Sequence, residues 1–450
     1  MSRVDRARLR AALAREERRF ADEHPRSRAL HERARRSLLN GVPMNWMVRW
    51  AGGFPIVVAE GRGPRFTDAD GREYVDFCLG DSGAMTGHAP AAVVEAVAAR
   101  MARGATFMLP TEDAVVVGEE LRRRFGLPCW QFAVSATDAN RFAIRLARHI
   151  TGRAKVLVFN GCYHGTVDEA FIALQDGVPR PRPGNIGPPV DPSVTTKVIE
   201  FNDVPALEAA LAPGDVACVL AEPAMTNIGI ILPRPGYHDA LRAITRATGT
   251  LFVCDETHTI SAGPAGYAGA HGLEPDILTL GKAIAGGVPA AVYGMTAEVA
   301  ERVRPRIRDD EADAGGIGGT LAGNALALAA VRATLESALT EAAYAETGAR
   351  TRRWVEGVEA VIRETRLPWH VVRLGCRAEY WFSATPPANG GEAAAAIDAP
   401  LDRYMHLAAL NRGFLMTPFH NMALIAPGTT EADIDRHSEA FRESVAGVIG

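Results

Sequence analysis

Lysine is almost absent from this chain of 450 residues. Only Lys155, Lys197 and Lys282 occur among its 49 Lys and Arg side chains. Each is therefore informative, because lysine, unlike arginine, can lose its proton and attack a carbonyl carbon. A net charge of −4 gives no basic excess, which argues against nucleic acid as a partner. No apolar run is long enough to cross a bilayer, so no membrane partner is expected.

The six cysteines lack the paired spacing of a zinc site or a disulfide framework, so we expect free thiols, no metal and a reducing compartment. The N-terminal segment is rich in arginine and has no apolar core typical of a signal peptide. These features predict a cytoplasmic protein. A length of 450 residues favours two or three domains.

The pattern along the chain changes several times. Residues 1–36 mix Arg and Glu with Ala and Leu, which predicts a charged, solvated helical extension. Short strands over 37–85 predict the N-terminal part of a small domain. Alternating strands and helices over 86–325 predict a large α/β domain with a mostly parallel sheet covered on both faces. Residues 326–450 complete the small α+β domain. The Pro- and Gly-rich residues 176–196 predict a long irregular loop.

Lys282 follows an apolar segment, 276–280, and a glycine, and a run of small residues comes after it. This places an amine at the carboxyl end of a buried strand, where open α/β sheets bind their ligands. The lysine could form a Schiff base with a carbonyl compound, or it could be an ordinary surface lysine in a loop. The sequence of this segment alone supports the two interpretations equally.

Ser135, Ala136 and Thr137 precede a helical run, and Tyr163 and His164 follow the apolar strand 155–159. Small and hydroxyl residues at a helix start suit a phosphate, although a plain helix cap is the commoner explanation. Tyr163 could stack on a flat heterocycle or could simply be a core aromatic.

Asp255 directly follows an apolar strand, and a carboxylate there is costly unless it is paired. A protonated ring nitrogen would be a suitable partner; a structural cap is the alternative. The glycine-rich segment 315–324 allows a close approach of the backbone to a ligand, with Thr320 offering a hydroxyl.

Three motifs carry a resemblance to a known family: Gly-Cys-Tyr-His-Gly at 161–165, Glu-Pro through Asn-Ile-Gly at 222–229, and Gly-Thr-Leu-Ala-Gly-Asn at 319–324. Over roughly residues 27–450 the chain resembles the class III aminotransferases, which are fold-type-I pyridoxal-phosphate enzymes. It is most similar to the glutamate-1-semialdehyde aminomutase-like branch.

The resemblance implies roles for individual residues. Lys282 would hold pyridoxal 5′-phosphate covalently, and Asp255 would keep the ring nitrogen protonated. Thr320 would reach the phosphate in a neighbouring subunit, which implies a homodimer with shared sites. Tyr163 and Thr257 would cover the two ring faces. The complete predicted cofactor set is Ser135, Ala136, Thr137, Tyr163, His164, Glu222, Asn227, Asp255, Thr257, Lys282 and Thr320.

Several positions depart from the family pattern. Ala136 stands where the family usually has glycine, and Thr257 stands where it usually has valine. His258 is also unusual, and His420 lies where the aminomutases tend to carry a glutamate. These departures favour a substrate different from that of the aminomutases.

For the substrate, Arg49 is the candidate that binds a carboxylate, with a structural ion pair as the alternative. Trp46 and His420 are the other candidates. We expect a ping-pong transaminase that moves an amino group from an amine or β-amino acid to a 2-oxo acid. The alternative is a 2,1-aminomutase acting on an amino aldehyde such as glutamate-1-semialdehyde. A decarboxylase on the same scaffold is a further possibility, and a non-catalytic scaffold is disfavoured because Lys282 and Asp255 are both present.

Overall fold

A computed structural model describes residues 3–187, 190–307 and 316–450. The chain divides into two compact units. Unit 1 comprises residues 1–90, 342–386 and 396–450, and unit 2 comprises residues 91–341 and 387–395. The α/β class expected from the sequence is confirmed.

The strands are β1 Val58–Arg62, β2 Arg65–Asp68, β3 Glu73–Asp76, β4 Cys129–Ala133, β5 Lys155–Phe159, β6 Ile172–Gln175, β7 Val178–Pro181, β8 Thr196–Ile199, β9 Val216–Ala221, β10 Leu251–Asp255, β11 Ile277–Leu280, β12 Ala291–Met295, β13 His370–Leu374, β14 Arg377–Trp381, β15 Phe414–Leu415 and β16 Met422–Leu424.

The α-helices are α1 Arg6–Glu23, α2 Pro25–Ala34, α3 Ala91–Met101, α4 Glu112–Phe125, α5 Ala136–Thr151, α6 Val204–Leu211, α7 Tyr237–Thr248, α8 Gly266–His271, α9 Ala297–Ile307, α10 Ala325–Ser337, α11 Glu341–Thr365, α12 Gly390–Ala395, α13 Ala399–Asn411 and α14 Glu431–Ala446. Among the helices of the described segments, none is both long and apolar enough to cross a membrane.

Unit 2 is built on a seven-stranded sheet in the order β4-β12-β11-β10-β9-β5-β8. Only β12 runs antiparallel to its neighbours, β4 and β11; the other pairings are parallel. Every residue of β9 is buried, as expected for a strand covered on both faces. Because β4, β5, β9, β10 and β11 point the same way, their carboxyl ends lie along one edge of the sheet.

Residues 176–181 are more ordered than the proline content of this part of the chain predicts. β7 pairs with β6 in an antiparallel hairpin, in which Asp176 and Gly177 form the turn with φ angles of 52° and 74°. Asp-Gly is a favoured pair for such two-residue turns. Pro179 and Pro181 are tolerated because this ribbon has only two strands, so the missing N–H groups can face outward.

Unit 1 contains a four-stranded sheet, β1-β2-β3-β15, and an antiparallel three-stranded sheet, β13-β14-β16. The N-terminal segment is not the solvated extension that its charge predicts. Leu9 and Phe20 of α1 are buried in the core of this unit, and α1 packs against α13. Phe20 stacks on the buried His24 with ring centroids 4.4 Å apart. The apolar stripe of α1 outweighs its many charged residues because only one face needs to be buried.

The last helix in the 91–341 segment of unit 2 is α10, which packs against α3 and α4 of the same unit. The compact unit therefore extends to residue 341, whereas the sequence pattern places the domain boundary after residue 325. The alanine-rich surface of α10 permits this close packing. The same composition does not indicate from sequence to which domain the helix belongs. The functional division into domains stays a prediction.

Candidate active site

The residues predicted around a cofactor within unit 2 gather at the carboxyl edge of its sheet. Asp255 ends β10, Glu222 follows β9, and Tyr163 and His164 follow β5. Lys282 lies two residues beyond β11. The structure thus brings together polar side chains from distant parts of the chain.

Asp255 is buried and accepts three hydrogen bonds. The Asn140 amide donates to Oδ2 over 2.8 Å, His164 Nδ1 lies 2.9 Å from the same oxygen, and the backbone N–H of Thr257 donates to Oδ1 over 3.0 Å. Asn140 also accepts a bond from the Thr279 hydroxyl at 2.6 Å. This asparagine was missed as a site residue. Asn140 lies at helical spacing from Ala143, Ile144 and Ala147 on the apolar face of α5, and an amide on such a face is the sequence signal that could have indicated it.

Asp255 and His164 form a buried ion pair. Burial works against ionisation of the carboxyl, but the hydrogen bond and charge of His164 lower the pKa of Asp255. Burial also works against a charged imidazole, yet the adjacent Cys162 and Asp255 raise the pKa of His164. A negative carboxylate is therefore kept at the end of β10.

Helix α5 begins beside this carboxylate. Ser135 is its N-cap; the Ser135 hydroxyl accepts a bond from the backbone N–H of Asp138 at 3.3 Å. The first N–H groups of a helix have no partner within the helix, so those of Ala136 and Thr137 are suited to an anion. The Thr137 hydroxyl accepts from the Thr166 N–H at 3.0 Å, which leaves its own proton for a ligand.

Ala136 stands where the family usually has glycine, and its methyl group is accommodated because Gly281 lies beside it. A Cβ atom on Gly281 would lie 2.9 Å from the Ala136 Cβ, so Gly281 makes room for that methyl group. This contact joins the start of α5 to the residue preceding Lys282. Lys282 itself has a φ of 45°, in the left-handed region, and is half-buried.

The amine of Lys282 takes part in a polar network. Lys282 Nζ is hydrogen-bonded to Nε2 of His258, and Nδ1 of His258 lies 2.6 Å from the Thr226 hydroxyl. That hydroxyl in turn bonds to Glu222. Burial raises the pKa of Glu222 to about 7. Thr226 was not predicted as a site residue.

Three further residues of the predicted set are placed as follows. The Asn227 side chain donates to the Gly161 carbonyl at 2.8 Å. Tyr163 is half-buried and makes an edge contact with Phe171, with ring centroids 6.4 Å apart. Thr257 is buried, and its hydroxyl has no hydrogen-bond partner among the described residues. Such a polar atom indicates a place for a ligand.

Thr320 is exposed in a turn that precedes α10. Its role toward a neighbouring subunit stays a prediction. Gly315, the first glycine of the predicted loop, lies outside the described residues.

Glu256 follows Asp255 in sequence but serves the fold. Its fully buried carboxyl accepts from the Thr259 hydroxyl at 2.5 Å and from the N–H groups of Tyr267 and Ala268 at 3.0 and 2.5 Å. Burial raises the pKa of Glu256 to about 7. The carboxyl therefore anchors the start of α8 and does not share the role of its neighbour.

Glu256 should make the unfolding of the apoprotein pH-dependent. Below its ordinary pKa of 4.5 the carboxyl is protonated in both the folded and unfolded states. As the pH rises to about 7, the unfolded chain loses the proton first, so the folded state loses stability. Glu256→Gln should reduce this loss by up to about 3 kcal/mol, measured by urea unfolding at several pH values. Glu298→Gln, at an exposed ion pair, is the control, and equal slopes in both variants would contradict the assignment.

The three candidate substrate residues lie in unit 1, and two of them contact the same aromatic ring. Trp46 meets Phe419 edge to face with centroids 6.1 Å apart, and the Arg49 guanidinium lies 5.3 Å from the same ring. His420 Nδ1 is 3.8 Å from Glu379 Oε1. Phe419, which has a φ of 75° and an exposed side chain, was not predicted. Arg49 thus contacts an aromatic ring, and its role with a carboxylate stays a prediction.

Comparison with known proteins defines the class. Residues 47–376 match the family model for class-III aminotransferases. The chain belongs to this family, and it is a pyridoxal-phosphate-dependent enzyme of the class III fold, as the resemblance implied.

Three known proteins are similar to this chain over most of its length. A glutamate-1-semialdehyde 2,1-aminomutase from Sorangium cellulosum (strain So ce56) is 35% identical over 434 residues, which is 95% of this chain and 97% of the relative. The crystal structure of a glutamate-1-semialdehyde aminomutase from Pseudomonas aeruginosa PAO1 is 51% identical, covers 99% of both chains and has a TM-score of 0.96. An omega-transaminase from Sphaerobacter thermophilus is 29% identical with a TM-score of 0.86, over 94% of this chain and 97% of that one.

The residues present fit the cofactor. A carboxylate held negative can pair with a ring nitrogen, and the start of α5 can bind a phosphate. The buried Thr257 hydroxyl, which has no partner within residues 3–187, 190–307 and 316–450, offers a further polar contact. The assignment of individual contacts stays a prediction.

Gly165 should be essential for the turn that contacts Thr137, one of the residues predicted to bind the phosphate. Its φ is 77°, and an added Cβ would meet the Thr137 hydroxyl oxygen at 2.1 Å. We expect Gly165→Ala to destabilise the apoprotein by about 2–4 kcal/mol and to raise the concentration of pyridoxal phosphate needed for half-reconstitution. Gly177→Ala is a matched control, because its φ of 74° is similar and it has open space around it. It should cost only about 1 kcal/mol; equal effects in the two variants would contradict the steric argument.

Proposed function

We propose that this enzyme is a 2,1-aminomutase that moves an amino group between neighbouring carbons of one amino aldehyde, glutamate-1-semialdehyde being the leading substrate. The observation that supports this most strongly is the likeness to the Pseudomonas aeruginosa aminomutase, at 51% identity over 99% of both chains. The departures from the family pattern around the site favour a transaminase, and the comparisons support the aminomutase alternative better.

The chain's own residues supply binding and proton transfer. Pyridoxal phosphate, when bound, contributes an aldehyde that condenses with amines and a ring that withdraws electrons. Asp255 would hold a proton at the ring nitrogen, and the start of α5 would bind the phosphate. Lys282 would attach the cofactor at rest and would move protons at the substrate carbon once its amine is released.

A second candidate, transamination, is favoured by the substrate residues of unit 1. The Trp46, Arg49 and Phe419 cluster is aromatic and partly exposed, which would suit a bulky amine. The omega-transaminase likeness at 29% identity is consistent with such an activity on this scaffold.

An assay with a single substrate distinguishes an aminomutase from a transaminase. Enzyme loaded with the amino form of the cofactor is incubated with glutamate-1-semialdehyde and no oxo acid, and products are followed by nuclear magnetic resonance. The aminomutase should turn over many times and yield the isomer with its amino group on the neighbouring carbon. Turnover that requires an added 2-oxo acid, together with a half-reaction with aromatic amines or β-amino acids, would instead identify a transaminase.

We also propose a homodimer with shared sites, which the exposed position of Thr320 supports. Light scattering of the cofactor-loaded enzyme should give twice the chain mass of 48.1 kDa. A monomeric mass at full activity would contradict the sharing of sites.

A further inference from the structure

A continuous series of hydrogen bonds leads from Lys282 to Glu222. Nζ of Lys282 contacts Nε2 of His258, Nδ1 of His258 contacts the Thr226 hydroxyl, and that hydroxyl contacts Oε2 of Glu222. His258, Thr226 and Glu222 are all buried, with 9%, 1% and 5% of their surface exposed. Bulk water is therefore a poor partner for protons exchanged along this series.

We propose that His258 is a catalytic residue that exchanges a proton with the Lys282 amine, and that Thr226 and Glu222 are positioning residues that complete a relay ending on the Glu222 carboxyl. This inference rests on the proposed role of Lys282 in the reaction.

The protons in this step balance. A protonated Lys282 gives one proton to Nε2 of His258, while His258 gives the proton on Nδ1 to the Thr226 oxygen. Thr226 gives its hydroxyl proton to Oε2 of Glu222. Lysine ends neutral and the carboxyl ends protonated. The imidazole has changed tautomer without a net change of charge, and the reverse sequence returns the proton to the amine.

Glu222 is suited to the far end because burial raises its pKa to about 7, so it can both accept and release a proton near neutrality. Two other buried carboxyls near the relay, among the described residues, are already committed. Asp255 is paired with His164, and Glu256 accepts bonds from Thr259 and the start of α8.

The Cys254 thiol is the remaining neighbour on β10. Burial raises its pKa well above the ordinary value, so it stays neutral. The ionisable group connected to the lysine through His258 and Thr226 is therefore Glu222.

The scarcity of lysine makes a direct test practical. Apoprotein is labelled with trace acetic anhydride from pH 5.5 to 9, and the peptides carrying Lys155, Lys197 and Lys282 are quantified by mass spectrometry. Labelling of Lys282 should show a step near pH 7, where Glu222 titrates. Lys155 and Lys197, which both pair with Asp215, are internal controls for the folded state.

Variants then show which residues are needed for the step in Lys282 labelling near pH 7. We expect it to vanish in His258→Leu, Thr226→Val and Glu222→Gln, and to remain in Thr226→Ser, which keeps the hydroxyl. Turnover of the cofactor-loaded His258→Leu enzyme should fall about 10²-fold or more. Loss of the step together with changed Lys197 labelling would reveal misfolding, and the comparison of Thr226→Val with Thr226→Ser then decides whether the hydroxyl is needed.

Two results would overturn the relay. One is persistence of the step in both His258→Leu and Thr226→Val, and the other is its loss in Thr226→Ser as well as in Thr226→Val. A parallel borohydride reduction of the cofactor-loaded wild type separates this failure from that of the proposed function. A cofactor adduct on the Lys282 peptide with an unchanged step rejects the relay alone, whereas the absence of that adduct rejects both.

Discussion

Lys282→Ala should abolish turnover, with a loss of more than about 10³-fold, because the variant lacks both the covalent attachment of the cofactor and the amine that moves protons. The cofactor should still bind, but only through non-covalent contacts of the kind that Asp255 and α5 provide. Activity assays and absorbance spectra of the reconstituted variant measure both effects.

Lys197→Ala is the matched control for this experiment. Lys197 is also partly buried; it lies on β8 of the same sheet, and its amine donates to Asp215, just before β9, at 2.6 Å. Its removal should leave activity and the absorbance of bound cofactor close to those of the wild type. Near-normal amino transfer by Lys282→Ala, or a borohydride adduct on a peptide other than the one with Lys282, would reject the assignment.

Asp255→Asn should lower turnover by about 10²–10³-fold, because a neutral amide cannot hold a proton on the ring nitrogen by charge. The asparagine also leaves His164 without the carboxylate that raises its pKa. The bound cofactor should therefore show an altered absorbance spectrum, and a donor amine should convert it slowly in stopped-flow measurements.

Asp276→Asn tests whether the loss of any paired carboxylate in this sheet has the same consequence. Asp276 pairs with Arg242 through two bonds of 2.7 and 2.8 Å, and it lies just before β11, at the edge opposite to Asp255. Its loss should lower the stability of the fold and leave the cofactor spectrum unchanged. If both variants altered the spectrum equally, Asp255 would have no special relation to the ring.

The sequence predicted the main positions of the site because parallel strands impose a simple rule. Residues such as Asp255 and Lys282 follow apolar runs, and the carboxyl ends of parallel strands meet at one edge. Their mutual closeness could therefore be inferred without coordinates. The same rule accounts for the correct expectation of a mostly parallel sheet, since β9 and β10 are continuous runs of apolar residues up to their ends.

The partners of those residues were harder to infer. Asn140 lies within a helix, and the direction of its amide depends on how α5 crosses the sheet. Thr226 meets His258 across 32 positions of sequence, and no local pattern indicates that pairing. Phe419 has a left-handed backbone angle and an exposed side chain, and no local sequence pattern indicates either.

Other differences between prediction and structure arose where the sequence contains a correct local signal but the composition of the whole segment predicts a different structure. Asp176 and Gly177 are a favoured turn pair, yet the surrounding prolines predicted an irregular loop where a hairpin forms. Leu9 and Phe20 mark a buried stripe on α1, yet the many charges predicted a solvated helix. In both segments a few residues with a specific backbone or burial preference determined the structure, although the average composition predicted otherwise.

The antiparallel strand β12 has a consequence for the order in which this enzyme matures on the ribosome. β4 joins the sheet only through β12, which is synthesised after Lys282, so the sheet that carries the start of α5 is complete only when residue 295 has emerged. We therefore expect stable capture of the vitamin-derived cofactor to follow translation of most of the chain. Nascent chains arrested before β12 should fail to retain it, while those arrested well beyond it can begin to do so.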